Sequence, residues 1–221
     1  MTLARIEGER LGYGGRAVLD GVELTLSPGE RVALLGRSGS GKTTLLATIR
    51  NRAEATGARV ALVPQDHGLV PQLSALKNVL MGRLDDHGAG YNLATLLRPF
   101  PRDRAAALAV LRDLELEPEA DRAVERLSGG QRQRVALARG LYRGGDLLIA
   151  DEPVSAVDET MGARLLDLAA ARFGTVVMAL HDVAQARRVA TRILGLARGR
   201  VVIDAPVAAV DDARIAGLYG G

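Results

Sequence analysis

The chain has 221 residues and a mass of 23.3 kDa, with 29 lysines and arginines against 26 acidic residues and a formal charge of +3. That length can bury one sizeable core, and the absence of cysteine excludes a disulfide framework and thiol chemistry. Every apolar run is broken by charge well short of the roughly 18 residues of a membrane span, no secretory h-region opens the chain, and no basic stripe interleaves with aromatics as nucleic-acid binding would require.

In chain order, residues 1–65 read as strands around a glycine-rich loop. Tyr13 stands in the early stretch Leu11-Gly12-Tyr13-Gly14-Gly15. The apolar run Val32-Ala33-Leu34-Leu35 then leads into Gly36-Arg37-Ser38-Gly39-Ser40-Gly41-Lys42-Thr43-Thr44, which fits the phosphate-loop pattern G-x-x-x-x-G-K-[ST]. Glycines without Cβ let such a loop turn its amides inward around an anion. Lys42 supplies a mobile positive charge, Thr43 a hydroxyl for Mg²⁺, and the helix expected from Thr44 onward aims its positive end at the same place. The chain's lysines are Lys42 and Lys77 alone, so a lysine kept inside the loop stands out against an arginine-rich background. Asn51 to Gly57 reads as a direct turn into a strand over Val60–Val63, followed by Gln65.

Residues 66–126 read as a mainly helical insertion. Leu76 to Leu84 and Arg104 to Leu111 carry helical apolar spacing, whereas Asp85 to Pro101, with Gly88, Gly90 and Pro99, reads as loop. His67 and His87 read as loop or surface residues. The core resumes over residues 127–221. Leu127-Ser128-Gly129-Gly130-Gln131 precedes a basic amphipathic segment, and Leu147 to Ala150 reads as a buried parallel strand ending in Asp151 and Glu152. One carboxylate suits a divalent ion and the other can activate water. Pro153, with no N–H to donate, helps end the strand. A helix through Arg164 to Leu168, a strand over Thr175–Leu180 closed by His181, and a hairpin around Gly199 complete an alternating α/β series with no repeats, linker or appended regulatory domain.

A phosphate loop, then Leu127-Ser128-Gly129-Gly130-Gln131, then Asp151-Glu152, in that order, resembles the nucleotide-binding subunit of ATP-binding-cassette (ABC) transporters over essentially the whole chain. The resemblance implies an ABC cassette of the P-loop NTPase class: a RecA-like α/β core, a small antiparallel β region and an inserted helical subdomain. It implies ATP and Mg²⁺ as ligands. Tyr13 matches the aromatic that stacks on adenine, and Gly36, Arg37, Ser38, Gly39, Ser40, Gly41, Lys42, Thr43 and Thr44 match the phosphate loop. Thr43, Gln65 and Asp151 match the metal positions, Glu152 the general base, and His181 the histidine that contacts the γ-phosphate. Gln65 also matches the glutamine that senses the attacking water and hinges the helical subdomain. Ser128, Gly129, Gly130 and Gln131 match the signature segment, a second anion cradle that serves the ATP of a partner cassette packed head to tail. Asp158 matches the loop that communicates between the two sites. Read alone, Ser128 and Asp158 are ordinary helix caps. The stretch from Lys42 to Gln65 is shorter than the family's, which leaves open the shape of the antiparallel region.

Asn78 to Leu84, Phe100 to Arg104 and the segment from Leu180-His181-Asp182 to Val202 look like phosphonate-import ATPases. The expectation is an ATP-hydrolysing importer subunit for phosphonate or a related oxyanion. It would work as a head-to-tail homodimer on the cytoplasmic face of the membrane, docked to an integral membrane permease and served indirectly by an extracytoplasmic binding protein. The permease would meet the insertion near Leu76, Val79 and Met81. The alternatives are another small-solute importer, such as one for amino acids, or a non-transport cassette ATPase in complex assembly.

Overall fold

Successive side chains of a strand face opposite ways, and the apolar runs of this chain use both directions. Strand β3 (Arg31–Leu35) sends Val32 and Leu34 to one side and Ala33 and Leu35 to the other, and β5 (Leu147–Asp151) divides Leu147 and Ile149 from Leu148 and Ala150 in the same way. Such strands need cover on both faces. In the computed structural model, which describes residues 2–220, they lie inside a six-stranded sheet covered on each side.

The remaining strands of that sheet are β4 (Val60–Val63), β6 (Thr175–Ala179), β7 (Arg192–Ala197) and β8 (Arg200–Pro206), in the spatial order β4-β5-β6-β3-β7-β8. All pairings are parallel except β7 with β8, the hairpin expected around Gly199. One face carries helix α1 (Lys42–Ala55) and a separate two-stranded antiparallel sheet, β1 (Ala4–Tyr13) with β2 (Arg16–Leu26). The other face carries α2 (Ala75–Leu80), α4 (Pro101–Asp113), α5 (Gly129–Arg143), α6 (Glu159–Arg172), α7 (Val183–Val189) and α8 (Asp212–Tyr219) around one continuous apolar cluster. The P-loop α/β cassette expected from sequence is therefore the fold observed, with an antiparallel β region of two strands.

Several local expectations are corrected. Asn51 to Ala55 is not a turn: α1 runs on to Ala55 because Ile49 and Ala53 continue its buried stripe, and the chain reverses only at Thr56 and Gly57. The stretch read as loop between Asp85 and Pro101 contains a helix, α3 (Ala89–Leu97). Gly88 caps it, Gly90 lies in its first turn and Pro99 follows it, so residues typical of loops mark its ends rather than its absence; its Leu93 and Leu97 are 61% and 74% exposed, and Tyr91 stacks between His87 and Phe100. The hairpin is not the last element either, since α8 follows and buries Ile215 and Leu218. Leu76 and Val79 do not form a surface groove with Met81, because both are core side chains packed in the cluster that α5 shares.

Candidate active site

Four parallel strands, β3, β4, β5 and β6, deliver their C-terminal ends to one edge of the sheet, the place where open α/β sheets bind ligands. The phosphate-loop residues leave β3 there, Gln65 follows β4, Asp151 and Glu152 end β5, and His181 follows β6.

Three positions of the loop from Gly36 to Gly41 use backbone that residues with a Cβ rarely adopt. Gly36, Gly39 and Gly41 have φ of 147°, 75° and 102°. A Cβ on Gly36 would stand 2.4 Å from the Leu196 carbonyl oxygen, so the loop also rests directly on β7. Lys42 is buried, and its Nζ donates to the carbonyls of Gly36 at 2.9 Å and Arg37 at 3.2 Å, which holds its charge across the mouth of the loop. Gly41 caps α1 without a side-chain hydrogen bond, and no acidic residue of the helix itself occupies the first turn, so its positive end is not countered from within the helix. Arg37, Ser38, Gly39 and Thr43 are exposed, Ser40 is half-buried, and Thr44 is buried.

Thr43 Oγ1 donates to Asp151 Oδ2 at 2.7 Å, which joins the start of α1 to the end of β5. The register that pairs Asp151 with Ala179, continued by the Glu152 amide donating to the Ala179 carbonyl, sets the ends of β5 and β6 side by side. In consequence His181 Nε2 lies 2.5 Å from Glu152 Oε1, although the two residues are far apart in sequence. Two adjoining cavities of about 190 and 500 Å³ share Thr43, Gln65 and Asp151; the smaller is also lined by Ser38, Lys42 and Glu152, and the larger by Leu46 and Leu62.

The sequence-predicted residues thus fall into two groups. The fold brings together Gly36 to Thr44, Gln65, Asp151, Glu152 and His181. Ser128, Gly129, Gly130 and Gln131 line neither cavity, and Ser128 with Gln131 forms a reciprocal capping box at the start of α5: the Ser128 hydroxyl accepts from the Gln131 amide at 3.2 Å, and Gln131 Oε1 from the Ser128 amide at 2.9 Å. Asp158 caps α6, accepting from the Met161 amide at 3.0 Å. Tyr13 is 61% exposed at the end of β1 and lines neither cavity.

Two residues that frame the site escaped sequence reasoning. Gln133 holds the loop after β5, and Arg139 donates to the carbonyls of His67 at 2.8 Å and Gly68 at 2.5 Å, fixing the turn beyond Gln65. Burial holds the Arg139 guanidinium below the usual arginine value, against the opposing field of Asp66. Neither grip could be foreseen, because each rests mainly on main-chain groups, which every residue type possesses.

Residues 19–155 match the family described as ABC transporter. The chain is 43% identical to the phosphonates import ATP-binding protein PhnC 1 of Natronomonas pharaonis, over 94% of this chain and 95% of that protein. It is 40% identical to the aliphatic sulfonates import ATP-binding protein SsuB 1 of Nocardia farcinica, over 92% of this chain and 82% of that protein. Among solved structures it resembles the dimeric post-hydrolysis state of the ATP-binding cassette MJ0796 bound to ADP and Pi, with a TM-score of 0.74 and 28% identity over 93% of this chain and 98% of that one.

Proposed function

This chain belongs to the ABC transporter family, and we propose that it is the ATP-hydrolysing subunit that energises import of phosphonate or a related oxyanion such as a sulfonate. The supporting observation is the convergence of the phosphate loop, Asp151, Glu152 and His181 on one sheet edge. Lys42 carries the positive charge for the β- and γ-phosphates, and the open N-terminus of α1 adds its dipole. Glu152 is the general base, within bonding reach of His181, which orients the carboxylate and meets the γ-phosphate. Gln65 positions the attacking water, and Tyr13 stacks on adenine.

A hydroxyl and a carboxylate 2.7 Å apart, with an amide beside them and no cluster of three His, Cys, Asp or Glu among the described residues, is an oxygen donor set that fits Mg²⁺, which takes much of its shell from phosphate and water. Thr43, Asp151 and Gln65 would hold that ion, whose charge neutralises the phosphate oxygens when bound. Ser128 to Gln131, which line neither cavity of the chain's own cleft, serve the ATP of a second copy packed head to tail, and Asp158 lies where the two sites communicate. The helical stretch 66–126, hinged at Gln65, faces an integral membrane permease, with an extracytoplasmic binding protein delivering cargo to it. No helix among the described residues is long and apolar enough to cross a membrane, so the chain would sit on the cytoplasmic face through that permease.

Nucleotide binding, phosphate release and sedimentation test this reading together. Lys42→Ala should lose nucleotide binding. Glu152→Gln should keep it, lose turnover by roughly 10²-fold or more, and sediment as a dimer in ATP. Ser128→Arg should block that dimer by placing a bulky cation at the interface. Near-normal hydrolysis by Glu152→Gln removes it as the base, and a monomer that hydrolyses ATP at full rate sinks the shared site.

A further inference from the structure

Glu152 has φ of 55°, a left-handed conformation that non-glycine residues rarely hold unaided. The turn it begins is gripped from α5 by Gln133, which is 2% exposed. Gln133 Nε2 donates to the Glu152 carbonyl at 2.7 Å and to Ser155 Oγ at 3.0 Å, while its Oε1 accepts from the Ala156 amide at 2.8 Å. The amide spans the turn and bonds to it on both sides. A second contact lies one turn earlier in the helix: a Cβ on Gly130 would stand 2.7 Å from the Ala156 carbonyl oxygen and 3.3 Å from Val157 Cγ1. The first turns of α5 and the loop carrying Glu152 are therefore in backbone contact and cross-linked by a buried, hydrogen-bonded side chain.

The same helix begins at the Ser128 capping box, the segment assigned above to the partner's nucleotide. A helix is stiff over this length, so a shift of its N-terminus is carried to Gln133 and from there to the Glu152 backbone, with no flexible connection between them. We infer that Gln133 is a positioning residue that makes the geometry of the Glu152 carboxylate depend on whether the signature end of α5 is engaged by the partner's nucleotide. This rests on the proposed ATPase reading and adds to it a route, internal to one subunit, from the neighbouring site to the chain's own water-activating group.

The test compares the purified full chain with Gln133→Met, which keeps the length of the side chain and removes its bonds, and with Ser155→Ala, which removes one acceptor from an exposed loop position and leaves α5 intact. The misplaced carboxylate should lower kcat of Gln133→Met by about ten- to a hundredfold, while the KM for ATP and nucleotide affinity stay within about twofold. The dependence of rate on ATP concentration should lose its cooperativity. Ser155→Ala should move in the same direction by about two- to threefold, since it loses the bond from Gln133 and the hydroxyl's own bond to the Glu152 carbonyl at 3.3 Å; if Gln133→Met does not fold, loss of cooperativity in Ser155→Ala, which a purely local bond would not cause, decides the matter. Unchanged kcat and cooperativity in the variants overturn the inference. A loss shared equally among kcat, nucleotide binding and melting temperature also overturns it, because a simple structural pin behaves that way. If the wild-type chain hydrolyses no ATP, the ATPase reading itself fails, which is a distinguishable result.

Discussion

Gly36 meets two demands that no other side chain can satisfy together. It turns the chain at φ 147° on leaving β3, and it rests the phosphate loop on the β7 backbone, with the Leu196 carbonyl 2.4 Å from where a Cβ would be. Gly36→Ala should therefore cost about 2 kcal/mol or more, from a forbidden backbone region and an overlap with main chain that cannot rotate away. Urea unfolding would measure it, and a loss below roughly 0.5 kcal/mol would show that the loop can lift off β7 freely. The G-x-x-x-x-G-K-[ST] spacing located this residue by its chemistry. The contact with Leu196 lay beyond the sequence, because a carbonyl oxygen on a distant strand has no residue-type signature.

The sequence of α5 is that of a basic amphipathic helix, and its arginines have a further use in the structure. Arg134 donates to the Leu114 carbonyl at 2.8 Å, Arg139 to those of His67 and Gly68, and Arg143 to that of Val60 at 2.7 Å. Each ties a surrounding segment to the one helix that also grips the Glu152 turn. Arg139→Met, which keeps the apolar stem, should destabilise the chain by roughly 1–3 kcal/mol, because hydrogen bonds from a charged group are lost and two carbonyls are left to find water. It should also raise hydrogen exchange in residues 65–70, next to the Gln65 position. Unaltered exchange there would mean that the turn holds itself. The hidden helix α3 shows the converse difficulty: Leu93, Leu96 and Leu97 stand at helical spacing, but Gly88 and Gly90 at its start and Pro99 just beyond its end give the stretch the punctuation of a loop, and the aromatic stack of Tyr91 with His87 and Phe100 that helps hold it joins separate segments.

At the scale of the whole molecule, sheet order decides what the sequence could only align. Placing β3 between β6 and β7, with β5 beyond β6, sets the phosphate loop, the carboxylates and His181 along one edge. The proposed cargo belongs to this scale, since it would be read through the proposed permease. Deleting the gene should abolish growth on a phosphonate as sole phosphorus source, or on a sulfonate as sole sulfur source, while sparing growth on phosphate and sulfate. Retention of both with loss of an unrelated solute rejects the oxyanion cargo and leaves the ATPase assignment standing.

The sequence alone determined the α/β layering, through strands apolar on both faces, and located the candidate phosphate loop and the acidic pair, through spacings that their proposed chemistry requires. Local chemistry and period-2 alternation are written in consecutive residues, so they can be read directly. Only the tertiary structure decided that Glu152 meets His181, that Thr43 reaches Asp151, and that Gln133 clasps the turn that Glu152 begins. Those bonds join residues from separate elements, Gln133 reaches backbone atoms that all residues possess, and their existence depends on strand register and helix placement that no single segment specifies.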